Sequence, residues 1–198
     1  MHSQILSSKT HKCRASVLLL GALLGRLGQA ELSYPGGCII GERPLDLHKV
    51  ALEAMGYETY FTEDNIKSVI SSFHDINTSR HVYLNFPSVG ATENILLAAV
   101  LAKGFTRIEN AAKEPHIVDL ANFLNTMGAQ ISGAGTDTVK IRGVEELHGG
   151  TYAIIPDQIE AGTYLAAAAA TGGDVQINNI IPKHMECITS KLADMGAD

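Results

Sequence analysis

Cys38 lies in the segment best suited to carry chemistry, a loop that reads Tyr34-Pro-Gly-Gly-Cys38. A proline and two adjacent glycines predict a flexible, exposed turn. Arg43 follows shortly after, and a guanidinium near a thiol favours the thiolate form. The loop therefore predicts that Cys38 is a nucleophile or a proton donor. The alternative is an inert, buried cysteine that packs as a small apolar side chain.

The segment Arg43-Pro44-Leu45-Asp46-Leu47, a few residues further on, combines a fixed cation, a restrained backbone and a carboxylate. This combination suits the binding of an anionic ligand, with Asp46 accepting a hydrogen bond from a base or a sugar. Two other interpretations stay open at this point. The segment is an ordinary turn with a surface ion pair, or Asp46 caps a helix that starts near Leu47.

A second candidate binding segment, Phe86-Pro87-Ser88-Val89-Gly90, directly precedes a predicted helix. Ser88 and the backbone amides that follow it would cradle a phosphate at the positive end of that helix. The simpler alternative is that Ser88 or Thr92 is only the helix N-cap.

Acidic residues mark two further turns. Glu114, in Lys113-Glu114-Pro115, is either a catalytic or ligand-binding acid or a residue that favours the first turn of the next helix. Asp157 stands where the chain repeats the Ser88 segment, and an acid there suggests that the two sites diverged. No metal site and no cofactor are predicted, and the histidines are expected at the surface or at helix caps: His11, His48, His74, His81, His116, His148 and His184.

Internal repeats define the elements that must position these residues. Residues 91–104 match residues 160–173 without a gap, and residues 104–110 match residues 173–179. A third, more divergent copy ends at Met55-Gly56. Each unit is predicted to contain a small-residue helix, a short strand, a turn and a second helix closed by Met-Gly. Further strands are predicted at 130–132, 138–142 and 152–155, with the alanine-rich helices packed inside and the strands facing out.

Composition narrows the class of protein. The chain has 198 residues, 45% of them hydrophobic, and a formal net charge of −6, which argues against nucleic-acid binding. Three widely spaced cysteines, an odd number, indicate a reducing compartment. A shift in composition near Pro156 predicts a boundary between residues 1–155, two units of a first domain, and residues 156–198, the start of a second domain.

The apolar run from Ala15 to Gly25 follows three basic residues and has two interpretations. It resembles a signal peptide, but Arg26 interrupts it and it is too short to span a bilayer. A buried helix with Gly21 and Gly25 at close contacts fits better, which predicts a cytoplasmic protein with no membrane partner.

Taken together, five segments resemble the UDP-N-acetylglucosamine enolpyruvyl transferases, and they occur in the family's order along the chain: 35–48, 88–92, 109–119, 133–137 and 156–163. The resemblance covers Lys12 to Asp198. It implies an inside-out α/β barrel of repeated βαβαββ units, with inner helices and outer sheets. It also implies transfer of the enolpyruvyl group of phosphoenolpyruvate to the 3′-hydroxyl of UDP-N-acetylglucosamine, the first committed step of peptidoglycan synthesis.

The resemblance also implies roles for individual residues. Cys38 matches the family's mobile-loop cysteine, a proton donor and the target of fosfomycin. Arg14 matches an arginine of the ligand site, and residues 43–47 match the UDP-sugar grip. The diphosphate-binding loop is matched by residues 86–90, although some members carry Lys where this chain has Phe86. Glu114 and Asp157 match acids that line the cleft.

The family's general base and a further arginine have no match here, so the resemblance predicts an interior piece of a longer enzyme whose activity alone is uncertain. Two alternatives stay open. One is the related transferase that acts on shikimate 3-phosphate, and the other is a noncatalytic repeat or interaction module.

Overall fold

The fold is taken from a computed structural model, which describes residues 4–5, 9–37, 41, 44–71 and 79–197. The chain divides into two compact units, Met1–Tyr152 and Ala153–Asp198. Cys38 and Arg43 lie outside the described residues.

The first unit contains the βαβαββ element order twice. The first copy has strands β1 (Gln4–Ile5), β2 (Gln29–Ser33), β3 (Tyr57–Phe61) and β4 (Asn65–Ile70), with helices α1 (Leu18–Leu27) and α2 (Asp46–Ala54). The second copy has strands β5 (Arg80–Tyr83), β6 (Phe105–Glu109), β7 (Gln130–Ser132) and β8 (Thr138–Arg142), with helices α3 (Val89–Ala99) and α4 (Pro115–Thr126). Short 3-10 helices at Thr10–Lys12 and Arg14–Val17 precede α1.

Each copy forms a four-stranded sheet with the same topology, β1-β2-β4-β3 in one and β5-β6-β8-β7 in the other. The first pair in each sheet is parallel and the other two pairs are antiparallel. Strand β6 shows how the sheets face the core, since Thr106 and Ile108 are buried while Phe105 and Arg107 are exposed. This alternation is typical of a sheet with one face covered.

The small-residue helices α1 and α3 pack against each other in the middle of the first unit. A Cβ atom added to Gly21 would lie 2.4 Å from the backbone oxygen of Asn94, so only glycine permits this separation. Leu20 and Leu24 of α1 are each 1% exposed. The prediction of a buried helix at the N-terminus is therefore confirmed. Among the described residues, no helix has the length and apolar character needed to cross a membrane.

Arg80 connects the two copies, because it bonds to one residue that follows α2 and to one residue that follows α3. Its side chain is buried, and it donates hydrogen bonds to the backbone oxygens of Met55 and Lys103 at 3.0 and 2.9 Å. Met55 directly follows α2, whose last carbonyl groups lack partners within the helix. A cation at this position stabilises the negative end of the helix.

The Met-Gly signal marks helix ends as predicted. Helices α2 and α4 stop just before Met55-Gly56 and Met127-Gly128. Gly56 and Gly128 have φ values of 95° and 100°, the left-handed region that glycine enters without strain.

The second unit contains helices α5 (Gln158–Thr171) and α6 (Glu186–Asp194), with a 3-10 helix at Pro182–Met185. The strand predicted at 152–155 and the one that the repeat implies at 173–179 are wrong, because residues 152–197 form no strand. The segment equivalent to 173–179 in the first unit is β6, which is paired on both sides by β5 and β8. An apolar alternation without such partners does not form a strand in water.

Candidate functional site

The N-terminus of α3 forms the centre of the candidate site. Ser88 is its N-cap, and the Ser88 side chain accepts a hydrogen bond from the Ala91 amide at 3.3 Å. The Ser88 carbonyl accepts the Thr92 amide and the Thr92 hydroxyl. The N-cap interpretation of Ser88 is therefore confirmed. The amides of Val89 and Gly90 begin the helix without intrahelical acceptors and are available to an anion.

Arg14 brings a cation to the same region from the turn before α1. It lies in the 3-10 helix Arg14–Val17 and is partly buried. A Cβ atom on Gly37 would lie 3.1 Å from the Arg14 backbone nitrogen, so the loop that leads to Cys38 passes directly against Arg14. Gly36 fixes this loop by donating its amide to the Thr10 carbonyl at 3.2 Å.

At the start of α2, the polar residue Asp46 is exposed and the apolar residue Leu45 is buried. Asp46 is the first residue of α2 and is exposed, where its charge favours the positive end of the helix. The cap prediction for Asp46 is wrong, because Leu45 occupies the N-cap position and no side chain caps the helix. Leu45 is 6% exposed, Leu47 is partly buried against the core, and Pro44 is exposed.

His48 is buried, so the prediction of a surface or capping role for it is wrong. The ring lies against Gly90, where a Cβ atom would approach its Cε1 and Nε2 atoms at 2.9 and 3.1 Å. The pKa of His48 is lowered from 6.5 to about 4, first by burial and then by the positive charge of Arg14, while the charge of Asp46 opposes the shift. His48 is therefore a neutral side chain in a region that attracts anions.

Two carboxyl groups, those of Glu93 and Glu114, interact with each other near the start of α3. Glu93, in the second turn of α3, has its pKa raised from 4.5 to about 7, first by burial and then by the charge of Glu114. Glu114 is the exposed N-cap residue of α4, but its side chain makes no cap hydrogen bond. The Thr92 hydroxyl holds these segments together by accepting the Ala112 amide at 3.1 Å.

Two further predicted residues, Phe86 and Asp157, are both exposed. Phe86 is 66% exposed in the turn before α3. Asp157 belongs to the second unit, where it caps α5 by accepting the amides of Ile159 and Glu160 at 2.8 and 3.3 Å. Among the described residues, no group of three or more potential metal ligands is present.

The described part of the site can hold an anion and exchange a proton. Two free helix amides and the Arg14 guanidinium offset negative charge. Glu93, with a pKa near neutrality, is a candidate proton carrier. Sequence reasoning missed Glu93 because its raised pKa depends first on burial in the folded chain and then on the charge of Glu114 at the start of a different helix.

The family of the chain follows from a comparison with known proteins. The sequence model of the family described as EPSP synthase (3-phosphoshikimate 1-carboxyvinyltransferase) matches residues 2–198. The chain therefore belongs to this family of carboxyvinyl, or enolpyruvyl, transferases.

The relatives at high identity carry the name of the UDP-sugar enzyme. The chain is 54% identical to the UDP-N-acetylglucosamine 1-carboxyvinyltransferase of Clostridium botulinum, over 94% of this chain and 44% of that protein. It is 53% identical to UDP-N-acetylglucosamine 1-carboxyvinyltransferase 1 of Staphylococcus aureus, over the same shares. The resemblance predicted from the motifs is confirmed. The chain spans less than half the length of these relatives.

Solved structures share the fold. An EPSP synthase from Acinetobacter baumannii aligns with 98% of this chain and 43% of its own, with a TM-score of 0.64 and 20% identity. The enolpyruvyl transferase NikO from Streptomyces tendae aligns with 77% of this chain and 36% of its own, with a TM-score of 0.59 and 24% identity. The predicted α/β enolpyruvyl transferase-type fold is thereby confirmed.

Proposed function

We propose that this chain is part of an enzyme that transfers the enolpyruvyl group of phosphoenolpyruvate to the 3′-hydroxyl of UDP-N-acetylglucosamine. The observation that carries the proposal is the cluster of Arg14, the Ser88–Gly90 helix start and Glu93 in a chain over 50% identical to transferases of that name. The reaction would belong to peptidoglycan synthesis and therefore to cell-wall growth, cell shape and division, in the cytoplasm.

The chemistry needs two anionic substrates held together and protons moved in both of its steps. In the addition, the oxygen of the 3′-hydroxyl bonds to C2 of phosphoenolpyruvate, the hydroxyl proton passes to a base, and a proton is added at C3. In the elimination, the tetrahedral intermediate loses a proton from C3 as the bond between C2 and the phosphate oxygen breaks, which restores the double bond and releases phosphate. Cys38 is the proposed proton donor and the proposed target of fosfomycin. Preorganised amides and a guanidinium stabilise the negative charge that moves during both steps.

Binding roles follow the position of each residue. Ser88, Val89 and Gly90, with Phe86 and Pro87 before them, would hold the diphosphate, since helix N-termini bind phosphates. Arg14 and Arg43 would supply cations, and residues 44–47 would contact the uridine sugar. Buried Leu45 would act there by shaping the loop, because its side chain is not accessible to a ligand.

Glu114 and Asp157 remain proposed cleft acids, and the proposed domain division remains 1–155 and 156–198. Glu114 has a second role that the geometry supports, because its charge contributes to the raised pKa of Glu93. The two small-molecule substrates are the proposed partners, and neither a cofactor nor a nucleic acid is part of the proposal.

A second candidate function is transfer to shikimate 3-phosphate, which the description of the matching family favours. Limited proteolysis of the 198-residue chain with each compound tests the choice. We expect UDP-N-acetylglucosamine, and not shikimate 3-phosphate, to slow cleavage of the chain. Protection by shikimate 3-phosphate alone would reverse the assignment.

Thiol labelling tests the role of Cys38 in the same chain. Cys13 and Cys187 are both exposed and are internal controls for general thiol reactivity. We expect fosfomycin with UDP-N-acetylglucosamine to modify Cys38 and leave both controls unmodified. Equal modification of all three cysteines would contradict the proposal.

A further inference from the structure

Asn94 makes a buried set of hydrogen bonds that joins three helices of the first unit. Its side chain is 1% exposed. Its Oδ1 accepts the Gly21 amide at 2.8 Å, and its Nδ2 donates to the Val17 carbonyl at 3.2 Å. Nδ2 also lies 2.8 Å from Nδ1 of His48. One amide on α3 thus contacts the start of α1 and the first turn of α2.

The partners of Asn94 determine where the His48 proton lies. A backbone amide can only donate, so the atom that faces Gly21 must be the oxygen of Asn94. A carbonyl can only accept, so the atom that faces Val17 must be the nitrogen. That nitrogen can only donate to His48, and Nδ1 of His48 must therefore be unprotonated. A neutral His48 then carries its proton on Nε2.

Nε2 of His48 lies at the start of α3. A Cβ atom on Gly90 would approach Nε2 at 3.1 Å, which places this edge of the ring against the second residue of α3. Arg14 acts on His48 from the α1 side, and Asp46 acts from the same helix as His48. Burial keeps the ring neutral, so it offers a fixed donor rather than a titrating charge.

We propose that Asn94 is a positioning residue of the candidate site: it fixes His48 as the Nε2–H tautomer and directs that N–H toward the first turn of α3. The assignment of the tautomer stands on the hydrogen bonds alone. Its effect on ligand binding rests on the proposed function, because it assumes an anionic nucleotide at Val89 and Gly90.

The arrangement does not follow from the repeated fold. In the second βαβαββ copy the position that matches His48 is Leu120, and in helix α5 of the second unit the position that matches Asn94 is Thr163. The hydroxyl of Thr163 bonds to the Ile159 carbonyl of its own helix. The repeated sequence pattern therefore does not require an Asn–His pair, which points to a local requirement at this site.

Nitrogen-15 NMR of the 198-residue chain with labelled histidine tests the tautomer directly. We expect His48 to show an unprotonated Nδ1 and a protonated Nε2 from roughly pH 5 to pH 8, a range in which an unperturbed histidine would titrate. A protonated Nδ1, or an imidazolium at pH 6, would overturn the inference. This measurement needs no variant and no ligand.

Asn94→Asp tests the control that Asn94 exerts. A carboxylate can only accept a hydrogen bond, so we expect the proton of His48 to move to Nδ1. We also expect the pKa of His48 to rise into the range of roughly pH 5 to pH 8 over which the spectra are recorded. Asn125→Asp is the matched control, because Asn125 also bonds a backbone amide and carbonyl, both of Ile131, and forms no hydrogen bond to a histidine among the described residues. Unchanged His48 signals in folded Asn94→Asp would contradict the proposal.

Titration with UDP-N-acetylglucosamine at pH 8 separates this inference from the proposed function. We expect Asn94→Asp to weaken binding about tenfold or more, the effect of losing one hydrogen bond to a charged group, and Asn125→Asp to leave it unchanged. Wild-type affinity in both variants would overturn the positioning role. Absence of binding by the wild-type chain would instead count against the proposed function, while the nitrogen shifts still decide the tautomer.

Discussion

Gly21 has only a hydrogen atom as its side chain, and this allows α1 to pack closely against α3. We expect Gly21→Ala to destabilise the first unit by about 2 kcal/mol or more, because the new methyl group meets backbone atoms rather than a mobile side chain. Urea unfolding measures the change. Gly149→Ala is the control, since a Cβ atom there has nothing within 4 Å. Equal stability of both variants would show that α1 and α3 are not packed this closely.

The raised pKa of Glu93 makes the stability of the first unit depend on pH. Its pKa is raised to about 7 in the folded chain, so the folded state holds a proton that the unfolded state loses near pH 4.5. This contribution is present at low pH and is lost as the pH rises through 7. We expect the unfolding free energy of Glu93→Gln to decrease less between pH 5 and pH 8 than that of the wild-type chain. Exposed Glu146→Gln is the control, and an identical pH profile in wild type and Glu93→Gln would contradict the raised pKa.

Individual residues were predictable from sequence where the signal is local. The N-cap role of Ser88 follows from its position before an apolar helix. The burial of His48 could not be predicted, because it depends on Asn94 and Gly90 of another helix. The raised pKa of Glu93 depends in the same way on the fold, first through burial and then through the charge of Glu114, the N-cap of α4.

The start of α3 is the element that most directly links stability to binding. Ser88→Asp keeps a good N-cap but adds a negative charge beside the Val89 and Gly90 amides. We expect the unfolding free energy to change by less than about 0.5 kcal/mol, while affinity for UDP-N-acetylglucosamine falls about tenfold or more.

Asp157→Ser is the reciprocal control for Ser88→Asp, because it exchanges the same two capping residues at the start of α5. We expect it to leave the unfolding free energy nearly unchanged, which tests the exchange of the two capping residues at a second helix. Binding by Ser88→Asp at wild-type affinity would mean that the start of α3 does not hold the ligand. Urea unfolding measures the unfolding free energy, and calorimetric titration measures the affinity for UDP-N-acetylglucosamine.

The elements themselves were largely predictable, because two copies of one pattern support each other. The Met-Gly helix ends and strands β7 and β8 were found from local sequence. The predicted strand at 173–179 was wrong because its alternation resembles that of β6, whereas pairing depends on β5 and β8, which are distant in sequence. Local pattern predicts a strand's faces but not the presence of its partners.

At the scale of the whole molecule, the two units differ in how well they cover their inner helices. Most of α3 is buried, whereas α5, every residue of which is described, buries only Ala161 and Gly162. Ile159 and Tyr164 of α5 are 71% and 58% exposed. Large exposed apolar surfaces promote association.

We expect the chain to self-associate or to have low solubility, and Tyr164→Lys to reduce association measured by light scattering. Tyr83→Lys is the matched control, because Tyr83 in the first unit is also 58% exposed. A wild-type monomer that unfolds in one sharp cooperative transition would contradict this prediction.

The central claim is that the start of α3 binds the anionic part of UDP-N-acetylglucosamine. The most direct measurement is the shift of the Val89 and Gly90 backbone amide signals as that compound is added to the 198-residue chain, with shikimate 3-phosphate added in a parallel titration. The account predicts saturable shifts of both amides with UDP-N-acetylglucosamine, and much smaller shifts with shikimate 3-phosphate. Larger shifts with shikimate 3-phosphate, or saturable binding that leaves both amides unmoved, would contradict it.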